Sequence, residues 1–139
     1  MKEVVTEIRI NASPAKVWEV FTANNEWSSW NPFVVKSEGR FEVGQRVTNT
    51  MVMAGRKPMT FRPKILRAES GKELRWLGRV LIPGVFDGEH YFQLEAHDGG
   101  TRFVQGEKFS GLLSGMLNLD EVRRSFTALN EALKKRVEG

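Results

Sequence analysis

The sequence predicts an α+β domain in which an antiparallel sheet curls around one long C-terminal helix. Successive segments alternate apolar and polar residues and are joined by short turns, which favours antiparallel pairing. Residues 85–113 read as two long strands joined by a turn at Asp98-Gly99-Gly100. The segment from Leu119 to Val137 carries a single apolar stripe that must lie on the sheet, formed by Val122, Phe126, Leu129 and Leu133.

The N-terminal part predicts one strand followed by two short helices. Residues 3–10 alternate as a strand, and Ser13-Pro14 is a typical helix start for a helix over residues 14–23. Trp27 and Trp30 then lie on one short helical turn that Pro32 ends. Two tryptophans so placed either pack in the core or close one end of a pocket.

The middle of the chain predicts three further strands, at residues 41–53, 58–68 and 73–82, separated by glycine- and proline-containing turns. Pro63 falls inside the second of these, which indicates an edge position or a bulge. With the N-terminal strand and the hairpin, the sheet has about six strands.

The length and composition of the chain limit the functions that it can have. A chain of 139 residues is one domain, 1–139, large enough for a core and a cavity. The absence of cysteine excludes disulfides and thiolate chemistry, and two histidines argue against a metal site. No cofactor is therefore expected. No apolar run is long enough to cross a membrane, so we expect a cytoplasmic protein without membrane insertion.

The formal net charge of +4 raises the question of nucleic acid. The basic residues are scattered and mostly alternate with acidic ones, and the densest group, 134–136, lies at a helix C-terminus, where cations are favoured. We therefore expect no nucleic-acid partner.

The hairpin carries the clearest polar group of residues. Opposite charges favour pairing Glu95 with Arg102 and Glu89 with Lys108 on the polar face. On the aromatic face, this register predicts three cross-strand pairs: His90 with Glu107, Phe92 with Gln105, and Leu94 with Phe103.

Four motifs point to a known family. They are I-x-I-x-A-S-P-A-x-V-W (Ile8 to Trp18), W-x-x-W-N-P (Trp27 to Pro32), E-L-R-W-L-G (Glu73 to Gly78) and G-E-H-Y-F…G-G-T-R-F…E-x-F-S-G-L-L (Gly88 to Leu113). With these motifs the chain resembles the SRPBCC or START-like helix-grip superfamily, related to the birch-pollen-allergen fold, and within it the small bacterial polyketide cyclase/dehydratase-like members. The resemblance implies an apolar cavity between the concave sheet and the long helix.

The expected cavity wall combines aromatic, methionine and polar side chains. A small hydrophobic ligand, lipid-like or polyketide-like and aromatic, is the partner expected for such a cavity. His90, Gln105 and Glu107 would orient its polar end. The candidate ligand-binding residues are Trp27, Trp30, Met51, Met53, Phe61, Trp76, Phe86, His90, Phe92, Gln105, Glu107, Phe109, Met116 and Phe126.

Two other functions remain open at this stage. In an enzyme of the cyclase, dehydratase or hydrolase kind, Glu107 in a dry wall would abstract a proton while His90 polarises a carbonyl or shuttles the proton. The same two residues could instead form an internal pair that only satisfies itself, so no catalytic residue is assigned. A protein-interaction module, as in chaperone-associated relatives, is the third possibility, and no protein partner is specified.

Overall fold

A computed structural model of the chain describes residues 2–53, 55–80, 84, 86–112 and 114–139, with the backbone alone for Val80 and Phe86. Within these residues the chain forms eight strands, two α-helices and two short 3₁₀ helices. In chain order they are β1 (Lys2–Ile10), α1 (Pro14–Thr22), the 3₁₀ helix Asn24–Ser29, β2 (Val34–Glu38), β3 (Thr48–Met51), β4 (Met59–Phe61), β5 (Lys64–Glu69), β6 (Glu73–Val80), β7 (Phe86–His97), β8 (Gly100–Ser110), the 3₁₀ helix Ser114–Met116 and α2 (Leu119–Glu138).

The strands form two antiparallel sheets rather than one sheet of about six strands. The larger sheet has the order β1-β8-β7-β6-β5, and the smaller has the order β2-β3-β4. An isolated bridge between Arg46 and Lys64 connects them. Pro63 explains the division, because proline has no N–H to donate and interrupts the predicted strand 58–68 between β4 and β5.

The predicted strand 41–53 is too long, and β2 was not predicted. Gln45 N–H donates to the Glu42 carbonyl over 3.0 Å and closes a turn, and Gly44 has a φ of 88°, so pairing as a named strand starts only at Thr48. In β2 the register shifts between Val34 and Lys36. This bulge breaks the alternation that would have marked a strand in the sequence. The predicted ends at residues 81, 82, 85 and 113 lie outside the described residues.

The register predicted for the central hairpin is confirmed at every pair. His90 is the Cα partner of Glu107, Phe92 of Gln105, and Leu94 of Phe103, while the outer face pairs Glu95 with Arg102 and Glu89 with Lys108. Asp98 and Gly99 have φ values of 47° and 77°, as a two-residue type I′ turn requires.

The ion pairs on the outer face extend beyond the two cross-strand pairs predicted for the hairpin. Arg102 lies between two carboxylates, at 2.9 Å from Glu95 and 2.7 Å from Glu7 on the neighbouring strand β1. Glu89 forms its salt bridge with Arg75 of β6 rather than with Lys108. A strand in the middle of a sheet has two neighbours, and the charge on the second neighbour decides the partner.

Helix α2 packs along the concave side of the larger sheet. The Asn118 side chain caps it by accepting from the Glu121 N–H over 3.1 Å. The predicted apolar stripe is buried, and Asn130 is buried with it. No helix in the described ranges is long and apolar enough to span a bilayer.

Candidate ligand-binding pocket

A pocket of about 410 Å³ lies at one end of the interior, between the two sheets and helix α2. Residues of β2, β3, β4, β6, β7, β8 and α2 form its wall, together with residues of three connecting segments: the one before β2, the one between β3 and β4, and the one between β8 and α2. The lining residues are Phe33, Val34, Met51, Met53, Arg56, Met59, Phe61, Trp76, Gly78, Gly88, His90, Glu107, Phe109, Met116, Leu117, Asn118, Glu121, Val122 and Phe126.

Nine of the fourteen candidate residues line this pocket. They are Met51, Met53, Phe61, Trp76, His90, Glu107, Phe109, Met116 and Phe126. Four others, Trp27, Trp30, Phe92 and Gln105, lie outside its lining. The fourteenth is Phe86, whose side chain lies outside the described residues.

Trp27 belongs to the packed core rather than to a pocket end. It is completely buried, and its indole N–H donates to the Phe21 carbonyl over 2.8 Å. Its ring centroid lies 5.5 Å from that of Phe21 and 6.4 Å from that of Trp76. Because Trp76 also lines the pocket, Trp27 supports the pocket wall from behind.

Methionine dominates the flexible part of the lining. Four of the five methionines in the chain line the pocket: Met51, Met53, Met59 and Met116. Met116 is 82% exposed and stands at the surface, where the pocket meets solvent. Methionine side chains repack easily around ligands of different shape.

Two glycines, neither recognised from the sequence, provide space. Gly78 of β6 and Gly88 of β7 are direct partners in the sheet, and both line the pocket. A Cβ atom at Gly88 would collide with Oε2 of Glu107, whereas one at Gly78 would make an ordinary contact of 3.5 Å with the Phe61 ring. Gly88 therefore makes room for the Glu107 carboxylate.

His90 and Glu107 form the polar inner corner of the pocket. The His90 side chain is almost fully buried, and its Nδ1 lies 3.2 Å from Oε1 of Glu107. Its ring stacks on Phe92 with centroids 4.4 Å apart, and Trp76 and Phe126 flank it at 5.2 and 4.8 Å. The aromatic rings hold the imidazole in one orientation.

A buried hydrogen-bond chain continues behind His90. Nε2 of His90 lies 2.9 Å from Oε1 of Gln105. The side-chain NH₂ of Gln105 in turn donates to Oδ1 of Asn130 over 2.8 Å and to the Phe126 carbonyl over 3.2 Å. The Asn130 amide donates to the Thr6 hydroxyl over 2.9 Å, and that hydroxyl donates to the Gln105 carbonyl over 3.0 Å. Gln105 is thus a support for His90 and not a pocket contact.

Asn130 and Thr6 were not recognised from the sequence. The available signal was an asparagine four residues after Phe126, on the buried face of a helix. A polar residue in an apolar stripe requires a buried partner, because an unpaired amide in a core costs about 1–3 kcal/mol.

An ion pair stands at the outer part of the pocket wall. Arg56 donates to both oxygens of Glu121 over 3.1 and 3.4 Å. This hydrogen bond raises the pKa of Arg56 and lowers the pKa of the Glu121 carboxyl. Neither residue stands out in the sequence, because their separation of 65 positions leaves no local pattern.

Within the described part of the chain, no three histidine, aspartate or glutamate side chains come together as metal ligands. The side chains that line the pocket can supply apolar contact, hydrogen bonding and proton transfer.

An antiparallel sheet wrapped on a long C-terminal helix, with an apolar pocket between them, defines the helix-grip class of α+β proteins. The model of the family described as "Polyketide cyclase / dehydrase and lipid transport" matches residues 1–138. The chain belongs to this family, as the SRPBCC resemblance implied. Family and fold together suggest hydrophobic-ligand binding or a cyclase/dehydrase-like role.

Solved structures share the fold at low sequence identity. The major latex-like protein 151 of Panax ginseng is 10% identical, with a TM-score of 0.82 over 99% of this chain and 98% of its own. Protein MLL2253 of Mesorhizobium loti is 17% identical, with a TM-score of 0.78 over 99% and 97%. An AHSA1-like protein of Aeromonas hydrophila is 16% identical, with a TM-score of 0.74 over 99% and 92%. Among curated proteins, none matches the sequence.

Proposed function

We propose that this protein binds a small hydrophobic molecule in the pocket between the sheets and α2. The ligand is either lipid-like or an aromatic, polyketide-like compound. The observation that carries the proposal is the combination of an apolar wall with one polar inner corner at His90 and Glu107. A volume of about 410 Å³ lies within the usual range of roughly 300–1,000 Å³ for small-molecule sites.

The apolar wall supplies affinity and the polar corner supplies orientation. Burying apolar ligand surface contributes about 25 cal/mol for each Å² removed from water. Four methionines let the wall adapt to the ligand, and the fixed imidazole gives its polar end one defined position. A carrier needs both properties, because it must hold its ligand firmly without reacting with it.

Ligand-induced thermal stabilisation tests this proposal. A panel of fatty acids, flavonoids and aromatic polyketides is added to the wild type and to two tryptophan variants. Met53→Trp fills the pocket, and Leu66→Trp places the same bulk at a partly exposed position outside its lining. We expect at least one class to raise Tm for the wild type and Leu66→Trp but not for Met53→Trp, because bound ligand stabilises the folded state.

Two results would overturn the proposal. One is that no compound class raises Tm of the wild type. The other is that Met53→Trp keeps the full Tm increase while remaining folded, which would place the binding site elsewhere.

The second candidate function is proton-transfer catalysis of the cyclase or dehydratase kind. It is favoured by the position of the Glu107 carboxylate, which lines the pocket above Gly88 and contacts the imidazole of His90. A carboxylate beside an imidazole can exchange a proton with a bound carbonyl compound. If Glu107→Gln remains folded and turns over an aromatic polyketide substrate at the wild-type rate, Glu107 has no part in catalysis.

A further inference from the structure

We propose that the inner corner of the pocket selects ligands that carry a neutral hydroxyl group, such as a phenol or an alcohol, and disfavours carboxylates. This inference rests on the proposed binding function and adds the chemical class of the ligand's polar end. It follows from the direction of the hydrogen bonds behind His90, which determines what Glu107 presents to the pocket.

The backbone carbonyl of Phe126 fixes the orientation of the Gln105 side-chain amide. The backbone carbonyl of Phe126 can only accept a hydrogen bond, and it lies 3.2 Å from the Gln105 side chain. The NH₂ end of that amide therefore faces Phe126, and its oxygen faces Nε2 of His90 at 2.9 Å. Nε2 of His90 must then carry a hydrogen and donate.

A second backbone carbonyl leads independently to the same direction. The Gln105 carbonyl accepts from the Thr6 hydroxyl, so the Thr6 oxygen is free to accept from the NH₂ end of Asn130. The oxygen of Asn130 then faces the side-chain NH₂ of Gln105 at 2.8 Å. Two acceptors that cannot change role thus assign the same histidine tautomer through the network.

This tautomer of His90 determines how the imidazole contacts Glu107. Because Nε2 of His90 already carries the ring hydrogen, Nδ1 of the neutral ring has a lone pair. This Nδ1 lies 3.2 Å from Oε1 of Glu107. A lone pair on Nδ1 facing an ionised carboxylate would repel it, so one proton lies between the two atoms. Whether nitrogen or oxygen holds that proton, Oε2 of Glu107 carries none and acts as a hydrogen-bond acceptor.

The position of Oε2 gives this acceptor a role in ligand selection. It lies over Gly88, on the pocket side of the strand. A ligand hydroxyl can donate to it, whereas a carboxylate would bring a second acceptor against it. Arg56 is the one lysine or arginine among the described lining residues, and its charge is already ion-paired with the Glu121 carboxylate. Its side chain is also 64% exposed, at the outer part of the wall, so a ligand carboxylate at the inner corner meets no unpaired lysine or arginine among the described lining residues.

Four ligands on one skeleton test the inference in the wild-type protein: naphthalene, 2-methoxynaphthalene, 2-naphthol and 2-naphthoate. Isothermal titration calorimetry at neutral pH gives each Kd. We expect 2-naphthol to bind about tenfold more tightly than the methyl ether, because only the naphthol can donate a hydrogen bond to Oε2 of Glu107. We expect 2-naphthoate to bind more weakly than both.

The outcomes separate the two proposals. If the four compounds bind equally, or if 2-naphthoate binds as tightly as 2-naphthol, the hydroxyl selection is wrong while hydrophobic binding stands. If none of the four binds, neither the hydroxyl selection nor binding of compact aromatic ligands holds.

Two variants at one position show whether Glu107 causes the preference. Glu107→Gln keeps an acceptor toward the pocket, because the bare Nδ1 of His90 takes the amide N–H and turns the amide oxygen outward. Glu107→Leu removes the acceptor. We expect the ratio of Kd for the methyl ether to Kd for 2-naphthol to stay above unity in Glu107→Gln and to fall to about one in Glu107→Leu. An unchanged ratio in a folded Glu107→Leu would overturn the inference.

Discussion

The two ends of the interior share the same hairpin and differ in what covers it. At the packed end, Phe92 and Phe103 meet Phe21 at centroid distances of 4.7 and 5.4 Å, and Trp27 closes the cluster. At the open end, two to four residues further along the same strand faces, lie Gly88, His90 and Glu107. Strand alternation decides which face a residue occupies, and side-chain size decides whether that face is filled.

The buried network from Gln105 to Asn130 separates the two ends. It joins β8 to α2 and, through Thr6, to β1. The packed end can therefore act as a rigid support, while the methionines of the open end remain free to adapt.

A phenylalanine deletion at each end should separate them most clearly. Phe103→Ala, in the fully buried packed end, should lower the free energy of unfolding by about 3–5 kcal/mol. Phe61→Ala, in the wall of the open end, should cost clearly less, because its ring already borders a cavity. Urea unfolding of both variants gives the comparison, and equal losses would contradict it.

Removal of the central amide should have the next largest effect. Gln105→Leu leaves the imidazole of His90 and the Asn130 amide without their buried partner, which costs about 1–3 kcal/mol. The exposed Gln45→Leu should change the free energy of unfolding by less than about 0.5 kcal/mol and serves as the control. A Gln105→Leu variant as stable as this control would show that the buried network does not stabilise the fold.

The outer face of the sheet gives a pH-dependent reference that involves neither end. Burial alone would raise the pKa of Glu73, but hydrogen bonds from Arg75 and Gln93 outweigh it and hold this pKa below its ordinary value of 4.5. A lowered pKa contributes stability above the ordinary value, and that contribution is lost as the pH falls through the folded-state pKa. Below about pH 4.5 the wild type should therefore lose more stability than Glu73→Gln, as measured by urea unfolding at stepped pH.

Parallel pH profiles of stability for the wild type and Glu73→Gln would contradict this prediction. They would mean that the ionised Glu73 carboxylate, with its partners Arg75 and Gln93, makes no contribution to stability.

A change at Gly88 should appear chiefly in ligand choice. Gly88→Ala places a methyl group where Oε2 of Glu107 lies, so the carboxylate must swing away from His90. We expect the preference of this variant for 2-naphthol over the methyl ether to fall about tenfold, because the hydrogen bond between the ligand and Glu107 is lost. Gly78→Ala, the sheet partner of Gly88, meets only the Phe61 ring at an ordinary distance and should keep the preference. Isothermal titration calorimetry measures the ratio of Kd for the methyl ether to Kd for 2-naphthol in both variants. An unchanged ratio in Gly88→Ala would contradict the role assigned to Glu107.

The hairpin register could be predicted from the sequence because it depends on local information. Opposite charges at Glu95 and Arg102 and the Asp98-Gly99 turn act within a few residues of one another. The division into two sheets could not be predicted in full, since Pro63 marked a break without showing where β4 would pair. Similarly, the bulge in β2 hid that strand from any test of alternation.

The candidate site was only partly predictable, because the sequence pattern shows which face of the sheet a residue occupies but not whether it borders the pocket or the packed core. Alternation placed Phe92, Gln105, His90 and Glu107 on the inner side of the sheet, but it carries no information on which of them border empty space. The partners that define the chemistry come from distant parts of the chain. Asn130 reaches Gln105 across 25 positions, and Glu121 reaches Arg56 across 65.

Methyl NMR of methionine-labelled protein shows whether a ligand enters this pocket. Four of the five methionines line the pocket, and the fifth, Met1, lies outside the described residues. Titration with 2-naphthol should shift the methyl signals of Met51, Met53 and Met59, with the indole N–H signal of Trp27 at the packed end unmoved. Saturable binding that leaves those three methyl signals in place would contradict the assignment of this pocket as the ligand site.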